Sequence, residues 1–187
     1  MSGVEGSPAF EPDTSCGDCV MCCEWLNIET GEFSKKAGIL CSHCTGRGCG
    51  IYETRPKICR SFLCGWRVIP ALGPDWRPDR SGVMILLVEK NVPPQYDGAS
   101  TGFNFVVLGG TRAITRPGFA EYLTLLVSRR VAVYFSADSP KTLINEYLAP
   151  MAAGRDMEGA RKMLLHIYGL HLQQRGIQFP GAVPLPP

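Results

Sequence analysis

At 187 residues, 45% of them hydrophobic and 19% charged, the chain has material for one ordinary domain or for a small lobe beside a larger one, which excludes a long disordered protein. Its 19 basic and 17 acidic residues give a formal net charge of +2 and are well mixed, so there is neither a basic stripe for nucleic acid nor an acidic tail. No run of about 18 uncharged apolar residues offers a membrane span.

The chain opens on MSGVEGSPAFEPDTS, residues 1–15, which reads as a flexible leader. It lacks the cationic start and apolar run of a signal peptide, and the expected location is cytoplasmic. Disulfides rarely persist in a reducing cytosol, so a dense set of cysteines there points to metal or redox chemistry. All nine cysteines, at positions 16, 19, 22, 23, 41, 44, 49, 59 and 64, lie in roughly the first third of the chain. The odd count excludes complete pairing into intramolecular disulfides.

Residues 16–67 form the expected cysteine lobe. CGDCVMCC (16–23) sets Cys16, Cys19 and Cys22 at the Cys-x-x-Cys interval twice over, and each such turn brings two sulfurs within reach of one ion. Three ligands from one loop plus a distant cysteine suit a cubane iron-sulfur cluster; two pairs of thiolates suit a tetrahedral zinc equally well. Cys23 complicates a single ion, because adjacent side chains diverge by roughly 100° on a helix and point to opposite faces on a strand. Two centres side by side, a larger cluster, or one cysteine left over all satisfy the pair.

CSHCTGRGCGIYETRPKICRSFLCGW (41–66) supplies the remaining thiols. Residues 16–23 match without a gap the opening motif of the CxxCxxCC cysteine-cluster proteins, the YkgJ-like family, described as zinc- or iron-chelating domains. Cys49, Ile51, Tyr52, Arg55, Pro56, Cys59, Arg60, Phe62 and Cys64 match its closing pattern, C-x-IY-x-x-RP-x-x-CR-x-F-x-C. The chain thus resembles that family over residues 16–66. The resemblance implies eight ligands: Cys16, Cys19, Cys22, Cys23, Cys41, Cys49, Cys59 and Cys64. Cys44 stands as an addition. Some relatives are flagellin lysine N-methylases in which an iron-sulfur cluster is associated with the cysteine motif, so the resemblance allows iron as well as zinc.

A tetrathiolate zinc and an oxidised cubane cluster each carry net negative charge, which nearby cations stabilise. Arg55 and Arg60, flanking Cys59, suit that role, and Tyr52 and Phe62 are expected to pack over the site. Trp25 and Trp66 either do the same or bury elsewhere. Pro56 pre-sets the turn before Cys59, and Gly46, Gly48 and Gly50 let backbone approach sulfur. His43, between Cys41 and Cys44, reads as a bystander or second donor. Apolar residues are too sparse here to fold some 50 residues unaided, so bound metal is expected to supply the deficit.

Residues 68–80, VIPALGPDWRPDR, read as a linker. The expected α/β lobe runs from 81 to 176 with three strands, at 81–90, 103–110 and 131–136. A helix carries Phe119, Tyr122, Leu123 and Leu126 on one face, with Arg129 and Arg130 at its C-terminal end. A second starts at Ser139-Pro140, aligns Leu143, Ile144, Tyr147 and Leu148, and stops at Pro150. A third runs from Met157 to Gln174 on Met157, Ala160, Leu164, Ile167 and Tyr168, closed by Gly176; the tail, 177–187, reads as mobile. His166 and His171 lie about 140° apart on that helix and share no metal face.

No P-loop, G-x-G-x-x-G, G-x-S-x-G or H-E-x-x-H occurs. The sequence therefore points to an α+β or α/β protein that binds zinc or an iron-sulfur cluster, with its second lobe turned to a protein partner and with no nucleic acid or membrane partner. An iron-sulfur enzyme or electron carrier, and a protein that chelates and passes on zinc, iron or copper, are the alternatives.

Overall fold

The computed structural model describes residues 16–69, 71–96, 101–137 and 140–174. The leader 1–15, the cap at Ser139, Gly176 and the tail 177–187 lie outside them. The chain divides into two compact units, Met1–Pro74 and Asp75–Pro187.

The first unit is built from short pieces. Helix α1 (Met21–Trp25) is followed by the two-residue strands β1 (Ile28–Glu29) and β2 (Ser34–Lys35), then by helices α2 (Lys57–Ser61) and α3 (Gly65–Val68). β1 and β2 pair antiparallel, Ile28 against Lys35 and Glu29 against Ser34. Thr30 closes their turn: its Oγ1 accepts the Phe33 N–H at 3.0 Å, and its own N–H reaches the Phe33 carbonyl at 3.0 Å. Pro56 precedes α2, and its carbonyl accepts the N–H groups of Cys59 and Arg60, so the proline starts the helix that carries Cys59. Buried apolar side chains are few: among the described residues of this unit they are Ile28, Cys64, Trp66, Val68 and Leu72.

The boundary between units falls inside the proline-rich stretch 68–80, which is not a bare linker. It holds a 3-10 turn at Pro74–Trp76 and the start of α4 (Pro78–Ser81). Trp76 packs there against Phe119 and Tyr122, with the Arg116 guanidinium over its ring.

The second unit is a helix-backed mixed sheet of four strands in the order β3-β4-β5-β6. β3 (Val83–Val88) and β4 (Gly102–Val107) pair antiparallel. Helices α5 (Gly110–Thr115) and α6 (Phe119–Ser128) then carry the chain over to β5 (Val133–Ser136), which lies parallel to β4, as a crossover of that length allows. β6 (Thr142–Leu143) returns antiparallel to β5. Helices α7 (Asn145–Gly154) and α8 (Met157–Gln174) complete the layer, α6 packing on both and α5 on α8. Met84, Ile85, Phe105, Ile114, Phe119, Leu123, Phe135, Leu148 and Leu164 are fully buried and make the core. Chain-wide, the class is α+β.

Four details differ from the sequence reading. The sheet gains the two-residue β6, because Asn145 fastens the chain to the end of β5: its Oδ1 accepts the Val133 N–H at 2.8 Å and its Nδ2 donates to the Val131 carbonyl at 2.7 Å. The second predicted helix consequently starts at Asn145 and runs through Pro150 to Gly154, with Tyr147 exposed. Pro150 forfeits one backbone bond, and burial of Leu148 holds the helix together. The strand expected over 103–110 ends at Val107, and Gly109 and Gly110 open α5 instead. In α8 the buried side is Ala160, Leu164, Ile167, Gly169 and His171, while Tyr168 is only half-buried.

Gly82 shows what the close packing requires. It holds φ +68°, its carbonyl accepts the N–H groups of Leu108 and Gly109 at 2.8 Å, and a Cβ there would stand 2.7 Å from the Gly109 Cα. Left-handed strain and a backbone clash add, so Gly82→Ala should cost about 2 kcal/mol of stability, read from the denaturant midpoint.

His171 is a pH-sensitive element of the same core. It is 6% exposed, its Nε2 lies 3.1 Å from Thr142 Oγ1, its ring lies beside Phe135, and burial holds its pKa below 6.5. The unfolded chain therefore takes the proton first. The contribution is complete above pH 6.5 and fades as pH falls from there through the lower folded value. His171→Gln should flatten that acid loss in a series of denaturant melts.

Candidate metal centre

Every cysteine lies in the first unit and none is in a disulfide; Cys64 is buried and the other eight are half-buried. The motif CGDCVMCC folds as a turn followed by a helix. Gly17 takes φ +55°, a conformation glycine adopts at little cost, and the Cys19 N–H then reaches the Cys16 carbonyl at 3.1 Å. The chain continues into α1, with the Cys23 N–H on the Val20 carbonyl at 2.8 Å. Cys22 and Cys23 thus leave the helix in directions about 100° apart.

Cys41 is drawn to this helix by backbone. Its N–H donates to the Cys23 carbonyl at 2.9 Å, just as the Gly38 N–H donates to the Glu24 carbonyl at 2.9 Å. A tight loop follows: the Cys44 N–H reaches the Cys41 carbonyl at 2.9 Å, and Cys44 pairs with Cys49 in an isolated antiparallel bridge. Gly46, at φ +81°, turns the loop and aims its N–H at Cys44 Sγ, 3.4 Å away. Cys59 sits in the middle of α2, and Cys64 caps the start of α3.

Sulfur meets sulfur in this arrangement. The Cys23 thiol hydrogen-bonds Cys22, which lowers Cys22 below the ordinary thiol value although burial and the charges of Cys16, Cys19 and Cys64 act the other way. The same bond raises Cys23 far above its ordinary value; burial adds to this, while a hydrogen bond from Cys44 opposes it. Burial raises Cys59, and the charges of Cys41, Cys23 and Cys49 reinforce the rise against the pull of Arg55. Cys44, outside the ligand set implied by the family resemblance, therefore stands among the thiols.

The main cation of the site is one that sequence reasoning missed. Lys35 is only 8% exposed, and its Nζ donates to the carbonyls of Glu24, Leu26 and Lys36 at 2.8, 2.9 and 2.9 Å. It caps the C-terminal end of α1, where a positive charge is favoured. Burial lowers its pKa, and the thiols Cys41, Cys23 and Cys22, together with Glu24, counter that shift. Its place at the end of a two-residue strand gave no periodic signal.

Of the two predicted arginines, Arg55 lies over the Tyr52 ring at 3.8 Å from its centre, within electrostatic reach of Cys59, and its Nε is buried without a hydrogen-bond partner. Arg60 is exposed. Tyr52 is 50% exposed, and its ring lies under the Arg55 guanidinium. Trp25 is exposed, whereas Trp66 is buried with its Nε1 on the Gly73 carbonyl at 3.0 Å. His43 is exposed, and its ring faces Phe33.

The donors are all soft sulfur, the chemistry that zinc, iron-sulfur clusters and Cu(I) take in preference to magnesium or calcium. Among the described residues, no group of three or more Cys, His, Asp or Glu side chains already surrounds a common point as an ion would require. The thiols are neighbours and not yet a closed cage. No protein-family profile, no curated protein and no solved structure matches the chain.

Proposed function

We propose that residues 16–66 bind metal through their thiolates, as zinc or as an iron-sulfur cluster, and that the chain is a member of the YkgJ-like cysteine-cluster proteins. The observation that carries this reading is the gathering of thiols on and beside α1: Cys16 and Cys19 in the turn before it, Cys22 and Cys23 on it, and Cys41 tied by its N–H to the Cys23 carbonyl, with the Cys44–Cys49 bridge following. Sulfurs this close repel one another once ionised, and a bound cation turns the repulsion into ligation. Lys35 and Arg55 add fixed positive charge beside a centre whose thiolates outnumber the charge of the ion. Drawing the sulfurs from a loose neighbourhood into a cage is then part of binding, as in other small thiolate sites where metal and fold form together.

Half-exposure of eight cysteines favours a second reading beside a purely structural centre: a protein that takes up and passes on a soft ion, since a partner's ligands reach such sulfurs directly. The test is the metal content and visible spectrum of anaerobically purified full-length protein. A brown sample with iron and acid-labile sulfide supports a cluster, and a colourless one with stoichiometric zinc supports a zinc site. Protein purified from metal-replete cells with all thiols free and no bound zinc, iron or copper overturns the reading.

A further inference from the structure

The loop after Cys41 is a small hairpin whose bonds decide how two of the thiols face each other. The Thr45 N–H donates to the Gly48 carbonyl at 3.0 Å and the Gly50 N–H to the His43 carbonyl at 2.8 Å. These bonds lie on either side of the bridged pair Cys44 and Cys49 and not between its two members. Cys44 and Cys49 are therefore directly opposed without a hydrogen bond between them, an antiparallel pairing in which the Cα atoms stand about 4.5 Å apart and the side chains share one face. A disulfide takes a Cα separation of about 4.4–6.8 Å, so these two sulfurs can be joined with both ladder bonds kept. The turn is already fastened: Thr45 Oγ1 donates to the Gly48 carbonyl at 3.2 Å, and the Gly46 N–H holds Cys44 Sγ at 3.4 Å. Thr45, Gly46 and Arg47 are exposed and both cysteines are half-buried, which leaves the pair open to small molecules.

We propose that this hairpin is an oxidation site, at which Cys44 and Cys49 form a reversible cross-strand disulfide on meeting hydrogen peroxide. The Cys44 thiolate attacks one peroxide oxygen and the O–O bond breaks, leaving a sulfenic acid and a hydroxide that takes up a proton as water. The Cys49 sulfur then attacks the sulfenic sulfur; the S–O bond breaks, the Cys49 proton goes to the departing hydroxyl, and a second water leaves. Two thiols and one peroxide thus become one disulfide and two waters. An exposed disulfide of this kind returns to two thiols by exchange with a small thiol such as glutathione. Cys23, hydrogen-bonded to Cys44, is the rival partner, but Cys49 is held opposite Cys44 by two backbone bonds. The pairing gives a use to Cys44, which stands outside the ligand set implied by the family resemblance, and it withdraws Cys49 from that set. The withdrawal rests on the metal-binding reading above; the disulfide itself does not.

In the test, the full-length chain is reduced, stripped of metal, treated with one equivalent of hydrogen peroxide, alkylated and cut with trypsin. Cleavage after Lys36, Arg47 and Lys57 separates the two cysteines, so the disulfide is read by mass spectrometry as peptide 37–47 linked to peptide 48–57. That linked pair should be the most abundant one, disappear when dithiothreitol precedes alkylation, persist in Cys41→Ser and be absent from Cys44→Ser. Peptide 37–47 joined in preference to peptide 1–35, which carries Cys23, overturns the proposal. So does a 37–47 to 48–57 link that survives in Cys44→Ser, or recovery of both cysteines alkylated while others have paired. For the withdrawal, zinc-loaded wild-type chain should release its ion to peroxide several-fold faster than Cys44→Ser. Equal rates overturn that consequence alone, because the linked peptides are read on the metal-free chain, and so failure of the pairing and failure of the metal-binding reading are told apart.

Discussion

Stripping the ion proposed for the thiolates from the purified protein is expected to abolish the cooperative unfolding of residues 16–69 while residues 101–137 and 140–174 keep their amide protection. The contrast follows from what holds each unit. In the second, Phe105, Phe119, Phe135, Leu123, Leu148 and Leu164 are sealed from water around a four-stranded sheet, and burying a side chain of that size is worth about 1.5–3 kcal/mol. Between Cys16 and Leu63 the sole buried apolar residue among those described is Ile28, and the helices there are five residues long, far below the length at which a helix holds in water. Metal–thiolate bonds are expected to supply the missing free energy, on the order of 10 kcal/mol for a structural zinc. Hydrogen exchange read by mass spectrometry checks this, using a zinc chelator under reducing conditions, or ferricyanide with EDTA where the spectrum shows a cluster. Unchanged protection in the cysteine region would show that its hydrogen-bonded turns suffice without an ion.

The second unit was more legible in the sequence than the first, for a physical reason. β3 and β5 are short, nearly continuous apolar runs, and α6 repeats its apolar residues at helical spacing, so their burial is written in the order of side chains. What escaped was set by single polar contacts: Asn145 clamping the end of β5 and thereby creating β6, and Gly82 drawing Gly109 in before α5. In the cysteine region the motif spacing named the candidate sulfurs but left open whether Cys22 and Cys23 stand on a helix or a strand, which the structure answers with α1. Which sulfur neighbours which depends on backbone links such as Cys41 to Cys23 and on the bridge from Cys44 to Cys49, and spacing does not encode those. The cation that matters most also came from nowhere near the motif's arginines. Lys35 stands in EFSKKAG, where two adjacent lysines look alike and one of them, Lys36, is exposed.

Lys35→Met is expected to destabilise the first unit by about 3 kcal/mol, a large part of what so small a unit has. The ammonium binds three carbonyls, of Glu24, Leu26 and Lys36, from a nearly buried position. A thioether of similar length fills the space and satisfies none of them. The Glu24 and Lys36 carbonyls retain the N–H groups of Gly38 and Ile39, and all three carbonyls lose a charged donor. Arginine does not replace it, since a planar fork cannot converge on three acceptors as a tetrahedral ammonium does, so Lys35→Arg should recover less than half of the loss. Charge and scaffold are separable here. Lys36→Met removes an equal charge from an exposed neighbour whose ion pair with Glu29 spans 3.8 Å at the surface, and should change stability by no more than a few tenths of a kcal/mol. If chemical denaturation followed by Trp66 fluorescence gave the same midpoint for Lys35→Met as for Lys36→Met, the buried ammonium would not be what fastens the end of α1 beside the thiols.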